Sequence, residues 1–187
     1  MKKFALTLCL ALCIARLAIA DTTPHWTIIP SQSTLTFTAT QNGAPVKGSF
    51  KTFSGDIGFD PEKMDGNHVK IDIDMNSIDT SYKEMSDTLK AADWFNIKVF
   101  PHATFVADQF TKMADGKYQA NGKVTIRDKS VPAVLVFELK KAGANMLAEG
   151  STTLKRNDFG VGQGDWQSTK EVKNEVVVKF TLVAQPQ

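Results

Sequence analysis

The chain alternates between apolar and polar residues with a period of two. Ser33-Thr-Leu-Thr-Phe-Thr-Ala-Thr40 puts Leu35, Phe37 and Ala39 on one face and threonines on the other. His68-Val-Lys-Ile-Asp-Ile-Asp-Met75 sends Val69, Ile71, Ile73 and Met75 one way and Lys70, Asp72 and Asp74 the other. A helix would scatter these charges around its circumference, so both segments are half-buried strands. Further strands are expected at Val46–Phe50, Gly55–Phe59, Ala103–Phe110, Tyr118–Ile126, Val131–Leu139, Met146–Leu154 and Glu175–Val183. Turn chemistry separates them at Gln41-Asn42-Gly43, Asp60-Pro61, Asp65-Gly66-Asn67, Asp115-Gly116 and Ala142-Gly143-Ala144-Asn145. Eight or more short, evenly spaced strands predict a meandering barrel or sandwich.

One window reads as helix, from Thr80 or Ser81 to Ala92. Ser81 and Glu84 have capping-box spacing, Met85, Leu89 and Ala92 fall at i, i+4, i+7, and Asp93-Trp94-Phe95-Asn96 ends it. A helix and loop inserted among strands would lie across a barrel mouth or flank.

The N-terminus belongs to a different class of segment. Lys2 and Lys3 precede an apolar run from Phe4 to Ala15 and Ala18-Ile19-Ala20, the pattern of a secretory signal peptide over residues 1–20 cleaved before Asp21. Residues 21–187 then form one domain, large enough to bury roughly 70% of its unfolded surface. Cys9 and Cys13 both fall in the leader, so disulfides, thiolate zinc sites and thiol catalysis drop out of the exported protein. The whole-chain charge of +2 also belongs to the leader: without Lys2, Lys3 and Arg16, 19 of the 22 basic residues face 20 acidic ones. No concentrated run of Lys or Arg remains, which argues against nucleic acid as partner. A periplasmic location is expected.

Candidate chemistry is sparse. His25, His68 and His102 are more than thirty residues apart and show no ligand spacing, so surface or capping roles are expected and no metal site is assigned. Gly160-Val-Gly162-Gln-Gly164 is not G-x-G-x-x-G and follows no βαβ unit, so it reads as a tight or flexible loop. No nucleophile elbow or zincin motif occurs, which disfavours an enzyme and assigns no catalytic residue. Twelve phenylalanines are many for this length. Eight closed strands enclose an interior that side chains just fill or that holds one slender ligand, and alternation alone permits either. Gly48, Gly58, Ala107, Ala120, Gly122, Ala148 and Gly150 at strand positions would leave room for a ligand or mark bends and bulges.

The order of residues adds a resemblance. It is carried by Trp26-x-Ile-x-Pro30-x-x-Ser33, Gly48-x-Phe50, Ile57-x-Phe59-Asp60, Ser77-Ile-Asp-Thr80, Leu89-x-x-x-Asp93-Trp-Phe95, Phe100-Pro-x-Ala-x-Phe105, Gly122-x-Val-Thr-Ile126 and Leu154-x-Arg156-x-Asp-Phe-Gly160. Collinear over nearly all of residues 21–187, they resemble the YceI-like, polyisoprenoid-binding family. The resemblance implies an all-β, lipocalin-like, eight-stranded antiparallel barrel with one short helix and loop insertion, whose apolar tunnel holds an isoprenoid or similar long amphiphile. Gly160-Val-Gly-x-Gly-x-Trp166 with Glu175-Val-x-Val178 resembles a branch often found beside membrane cytochromes b. That implies a quinone-type lipid and transient contact with a membrane or such a cytochrome. Met85-Ser-Asp-Thr88 and Asp128-Lys-Ser130 depart from the family pattern and bear on head-group recognition.

On alternation and resemblance together, the tunnel residues are expected to be Phe37, Phe50, Ile73, Leu89, Trp94, Phe95, Phe105, Ile126, Phe159 and Val178. Head-group contacts by analogy are Arg156, Asp158 and Trp166, with an Arg156–Asp158 structural ion pair as the competing reading. A structural or stress-related interaction module with a filled barrel is the alternative function, and an enzyme acting on a lipid head group the third. Exposed edge strands would permit a dimer.

Overall fold

A computed structural model describes residues 23–187. The signal peptide expected over residues 1–20, with its cleavage site, lies outside the described residues. Eleven strands and one α-helix follow one another along the described chain: β1 (His25–Ile28), β2 (Thr34–Gln41), β3 (Ala44–Phe50), β4 (Phe53–Asp60), β5 (Lys63–Asp74), β6 (Ile78–Thr80), α1 (Lys83–Lys90), β7 (His102–Lys112), β8 (Tyr118–Ile126), β9 (Lys129–Ala142), β10 (Asn145–Lys155) and β11 (Glu175–Pro186). All pairings are antiparallel. Eight strands close into a ring in the order β1-β4-β5-β7-β8-β9-β10-β11 and back to β1, while β2, β3 and β6 extend the wall beyond β11.

The closure has a definite cause. β11 is long enough to pair along one edge with β10, from Glu175 opposite Lys155 to Ala184 opposite Met146. Its other edge is shared: Val177–Thr181 takes β2 and Ala184–Pro186 takes β1. Between these two partners Pro30 starts a single 3₁₀ turn, which a proline favours because it fixes φ and lacks an N–H. Ser33 stitches that kink to β11, its Oγ donating to Ile29 O at 2.8 Å and accepting from Val183 N at 3.0 Å. β1, left free of β2, then turns to β4 with Trp26 opposite Ile57 and seals the barrel.

Alternation sets the polarity of the wall. Val69, Ile71 and Ile73 of β5 face the interior, and Lys70 and Asp72 lie between them on the outside. A charged outer face and an apolar inner face are the reverse of the arrangement in a lipid-facing barrel. Among the described residues no helix is long and apolar enough to cross a membrane.

Two expectations about local structure are corrected. Asp65-Gly66-Asn67 is no turn; β5 runs through it as a bulge, the register shifting between Gly58 and Asp60 with Gly66 at φ +85°. Asn67, 2% exposed, takes the place of the missing ladder bonds, accepting from Asp60 N at 2.8 Å and donating to Asp60 O at 3.1 Å. The capping box also fails. The helix starts at Lys83, later than Ser81, and Tyr82 at its N-cap makes no side-chain bond. Ser86 Oγ instead accepts from Thr80 N at 3.0 Å, tying the helix back to β6, and the helix stops at Lys90 with Ala92 exposed.

The small residues expected to leave room are mostly spoken for. A Cβ on Gly48 would lie 2.3 Å from the Phe37 ring, on Gly58 2.2 Å from the His68 ring, and on Gly150 2.5 Å from Val136 O. Gly122 sits opposite Ala107 beside the β7 bulge, its missing Cβ 2.3 Å from Val106 O. These glycines admit neighbouring rings and backbone, not a ligand.

Replacing Asn67 by Ala should cost about 2 kcal/mol, because the Asp60 main-chain N–H and C=O each lose their side-chain partner in a part-buried site. Urea unfolding followed by circular dichroism measures it, and an unchanged midpoint would contradict the assigned role.

Candidate functional site

Inside the ring lies a tunnel of about 280 Å³. Its far end is plugged by rings: Phe59 packs edge-on against Phe110, Tyr118 and Phe137 at centroid distances of 5.2, 5.7 and 6.0 Å. Trp26 Nε1 donates to Phe59 O at 2.9 Å and fixes that corner. Midway, Ala103, Ala120, Val124 and Ala148 keep the bore open because their side chains are short. The near end is walled by Phe37, Leu89, Trp94, Phe159, Val161 and Val172.

Beyond that end a mouth of about 530 Å³ opens between α1 and the loop before β11, lined by Tyr82, Glu84, Met85, Thr88 and Trp166. Tunnel and mouth share Phe37, Ala39, Leu89, Trp94 and Val172, which therefore form the throat. Trp94 and Trp166 pack there with ring centroids 5.5 Å apart. Trp94 Nε1 is buried and has no hydrogen-bond partner in the protein. A buried donor without an acceptor carries a desolvation cost.

The loop framing the mouth is built around Arg156. This side chain is 4% exposed and donates to five main-chain carbonyls. Nε reaches Lys173 O, Nη1 reaches Val161 O and Gly162 O, and Nη2 reaches Ser168 O and Val172 O, at 2.9 to 3.3 Å. Those are all the N–H bonds a guanidinium has. Burial pulls its pKa below the ordinary arginine value, and the carbonyl dipoles around it offset the lost hydration. Gly162 belongs to the same device: it adopts φ +80°, and a Cβ there would lie 2.4 Å from Arg156 Nη1. The glycine run of this loop is thus a tight turn wrapped around a cation.

Two further anchors hold the throat. Asp93 O accepts from Gly162 N and Gln163 N at 2.8 and 2.7 Å, joining the two mouth loops. Arg127, at φ +57° in the β8–β9 turn, donates Nη1 to Ala92 O and Trp94 O and lies over the Phe100 ring. Nothing in the spacing of Arg127 along the sequence marks this role.

The structure places all ten expected tunnel residues in the tunnel wall. The head-group set divides. Trp166 lines the mouth, Asp158 is exposed on the loop surface, and Arg156 has no N–H left for a guest. The Arg156–Asp158 ion pair is replaced by the carbonyl cage. Arg156 is also the one ionisable side chain among the residues lining the tunnel. The expectation of isolated histidines is corrected too, since His25 and His68 lie side by side on the outer wall, ring centroids 5.5 Å apart.

A closed antiparallel ring around one apolar tunnel, roofed by a helix and two loops, defines a lipocalin-like barrel. The YceI-like domain model matches residues 26–184, and the chain belongs to that family. Protein YceI of Salmonella arizonae is 30% identical over 146 residues, 74% of each chain. A UPF0312 protein of Vibrio cholerae is 25% identical over 122 residues, so the chain spans 65% of that relative's length. The crystal structure of Burkholderia cenocepacia BcnA is 34% identical with a TM-score of 0.81, covering 84% of this chain and 99% of that one. A polyisoprenoid binding domain from Saccharophagus degradans, implicated in plant cell wall breakdown, shares the fold at 12% identity and a TM-score of 0.68, covering 88% and 99%.

Arg156→Ala should destabilise the protein by about 3 kcal/mol, since several carbonyls lose their donor at once. Arg156→Lys should recover little, because an ammonium supplies three donors in a different geometry. Denaturant midpoints of the three proteins test this, and a neutral Arg156→Ala would refute the cage as an organising element.

Proposed function

We propose that this chain is an exported, periplasmic carrier or store of a long isoprenoid or similar amphiphilic lipid, with the tail in the tunnel and the polar head at the mouth. The observation that carries it is the tunnel itself: an apolar bore continuous with an open mouth, its one charge fully engaged by main-chain carbonyls. The leader pattern of residues 1–20 supports export. The name of the Saccharophagus neighbour supports the ligand class.

Energetics decide what such a site is for. Each buried CH₂ is worth about 0.8 kcal/mol against water, so a long tail would nominally exceed the affinity ceiling near −20 kcal/mol. A bilayer shelters the same tail equally well. The protein therefore gains little net energy from tail burial and serves to keep the lipid soluble or to exchange it with a membrane, as a partner of a membrane cytochrome would require. Selectivity falls to the head, where the packed Trp94 and Trp166 rings suit a flat, quinone-type group. The activity proposed is binding without turnover, which the name of the Saccharophagus neighbour supports.

Organic extraction and mass spectrometry of the protein from its native host should yield a long-chain lipid at near one per barrel. Ala120→Phe with Ala148→Phe, which fill the bore from β8 and β10, should lower that yield at least tenfold while circular dichroism keeps the β signature. A wild-type protein that yields no lipid, or a filled variant that yields as much, would overturn the reading. Trp166→Ala removes a ring that lines the mouth and leaves the tunnel wall intact. It should retain tail binding and lose about 1 kcal/mol of preference for lipids with a flat aromatic or quinone-type head, as competition between headed and headless isoprenoids would show.

A further inference from the structure

A cluster of titratable side chains lies on the outside of the barrel, at the seam. His25, Asp56 and His68 come from β1, β4 and β5 and each offers a ligand atom, all within 4.8 Å of one another. The registry explains why. His25 is opposite Gly58, and Gly58 is opposite His68, so three residues form a row across three strands. The middle one has no side chain. A Cβ on Gly58 would fall 2.2 Å from His68 Cε1, so the His68 ring occupies that vacancy and leans toward His25. Asp56, two residues before Gly58 and therefore on the same face, brings its carboxylate to 3.9 Å from His25 Nδ1.

We propose that this row is a binding site for a divalent cation of the zinc class, with His25, His68 and Asp56 as ligands and a fourth position open to water. Two imidazoles and a carboxylate are a donor set for such an ion, whose tetrahedral ligands stand about 3.4 Å apart, within a small side-chain rotation of the present spacing. The outer partner is in place as well: His68 Nδ1 lies 3.3 Å from Gly66 O. A hydrogen bond there puts the proton on Nδ1 and leaves the Nε2 lone pair for the metal, as ligating histidines require. Lys70 is opposite Asp56 on β5. The bound ion would clamp β1, the strand that closes the ring, to β4 and β5. This site is separate from the tunnel and does not depend on lipid binding.

The test uses the exported chain without a polyhistidine tag, stripped of metal and titrated with zinc chloride by calorimetry. One equivalent should bind with a dissociation constant in the micromolar range. His25→Ala and His68→Ala should each weaken binding at least tenfold, and Asp56→Asn by less. Thermal unfolding should rise by several degrees with saturating zinc in the wild type and not in the His25→Ala/His68→Ala double variant. Since the histidines lie at the surface of a folded wall, the double variant should keep its apo melting temperature and show that the loss is of ligands, not of fold. No saturable binding, or binding that the double variant retains, would overturn the proposal.

Discussion

Everything in this barrel follows from closing eight strands into one ring. Closure forces the inward side chains of every strand to share a lumen whose width is set by strand number. Their sizes alone decide what remains. Large rings crowd the Phe59 end, and alanines and valines in the middle leave a slender bore. The glycines that might have widened it are occupied by neighbouring rings and carbonyls instead, so they shape the wall while the alanines make the hollow.

The mouth solves a different problem. A long loop over an apolar opening exposes carbonyls that strand ladders would otherwise satisfy, and Arg156 gathers five of them around one cation. Burying that charge is tolerable because every N–H finds an acceptor. The consequence is a collar whose central cation is fully engaged, beside which Trp94 and Trp166 bring the aromatic surface of the throat. The outer wall, charged and crossed by the histidine row, is independent of both.

The chain alone determined the strands, because a period-two pattern states at each position which face meets the core. Tyr118–Ile126 coincides with β8, and the other expected strands fall within their observed counterparts to a residue or so at an end. The same periodicity accounts for six of the side chains in the tunnel wall, Phe37, Phe50, Ile73, Phe105, Ile126 and Val178, since choosing the inward face of a strand is choosing the lumen once the ring closes, whereas Leu89, Trp94, Phe95 and Phe159 sit on the helix and loops and were reached through the resemblance. β1 and β6 were not legible: four and three residues carry too little alternation, and both exist because β11, β4 and β3 offer them edges.

Only the tertiary structure decided whatever depends on partners distant in sequence. Asp158 lies two residues from Arg156, yet the guanidinium turns to carbonyls as far along as Lys173, because a buried cation needs all its donors met at once. His25 and His68 seemed isolated along the chain and became neighbours through the registry of three strands and a glycine between them. Local pattern encodes which face a residue takes. Which residues share that face is set by strand pairing, and pairing is a property of the closed ring.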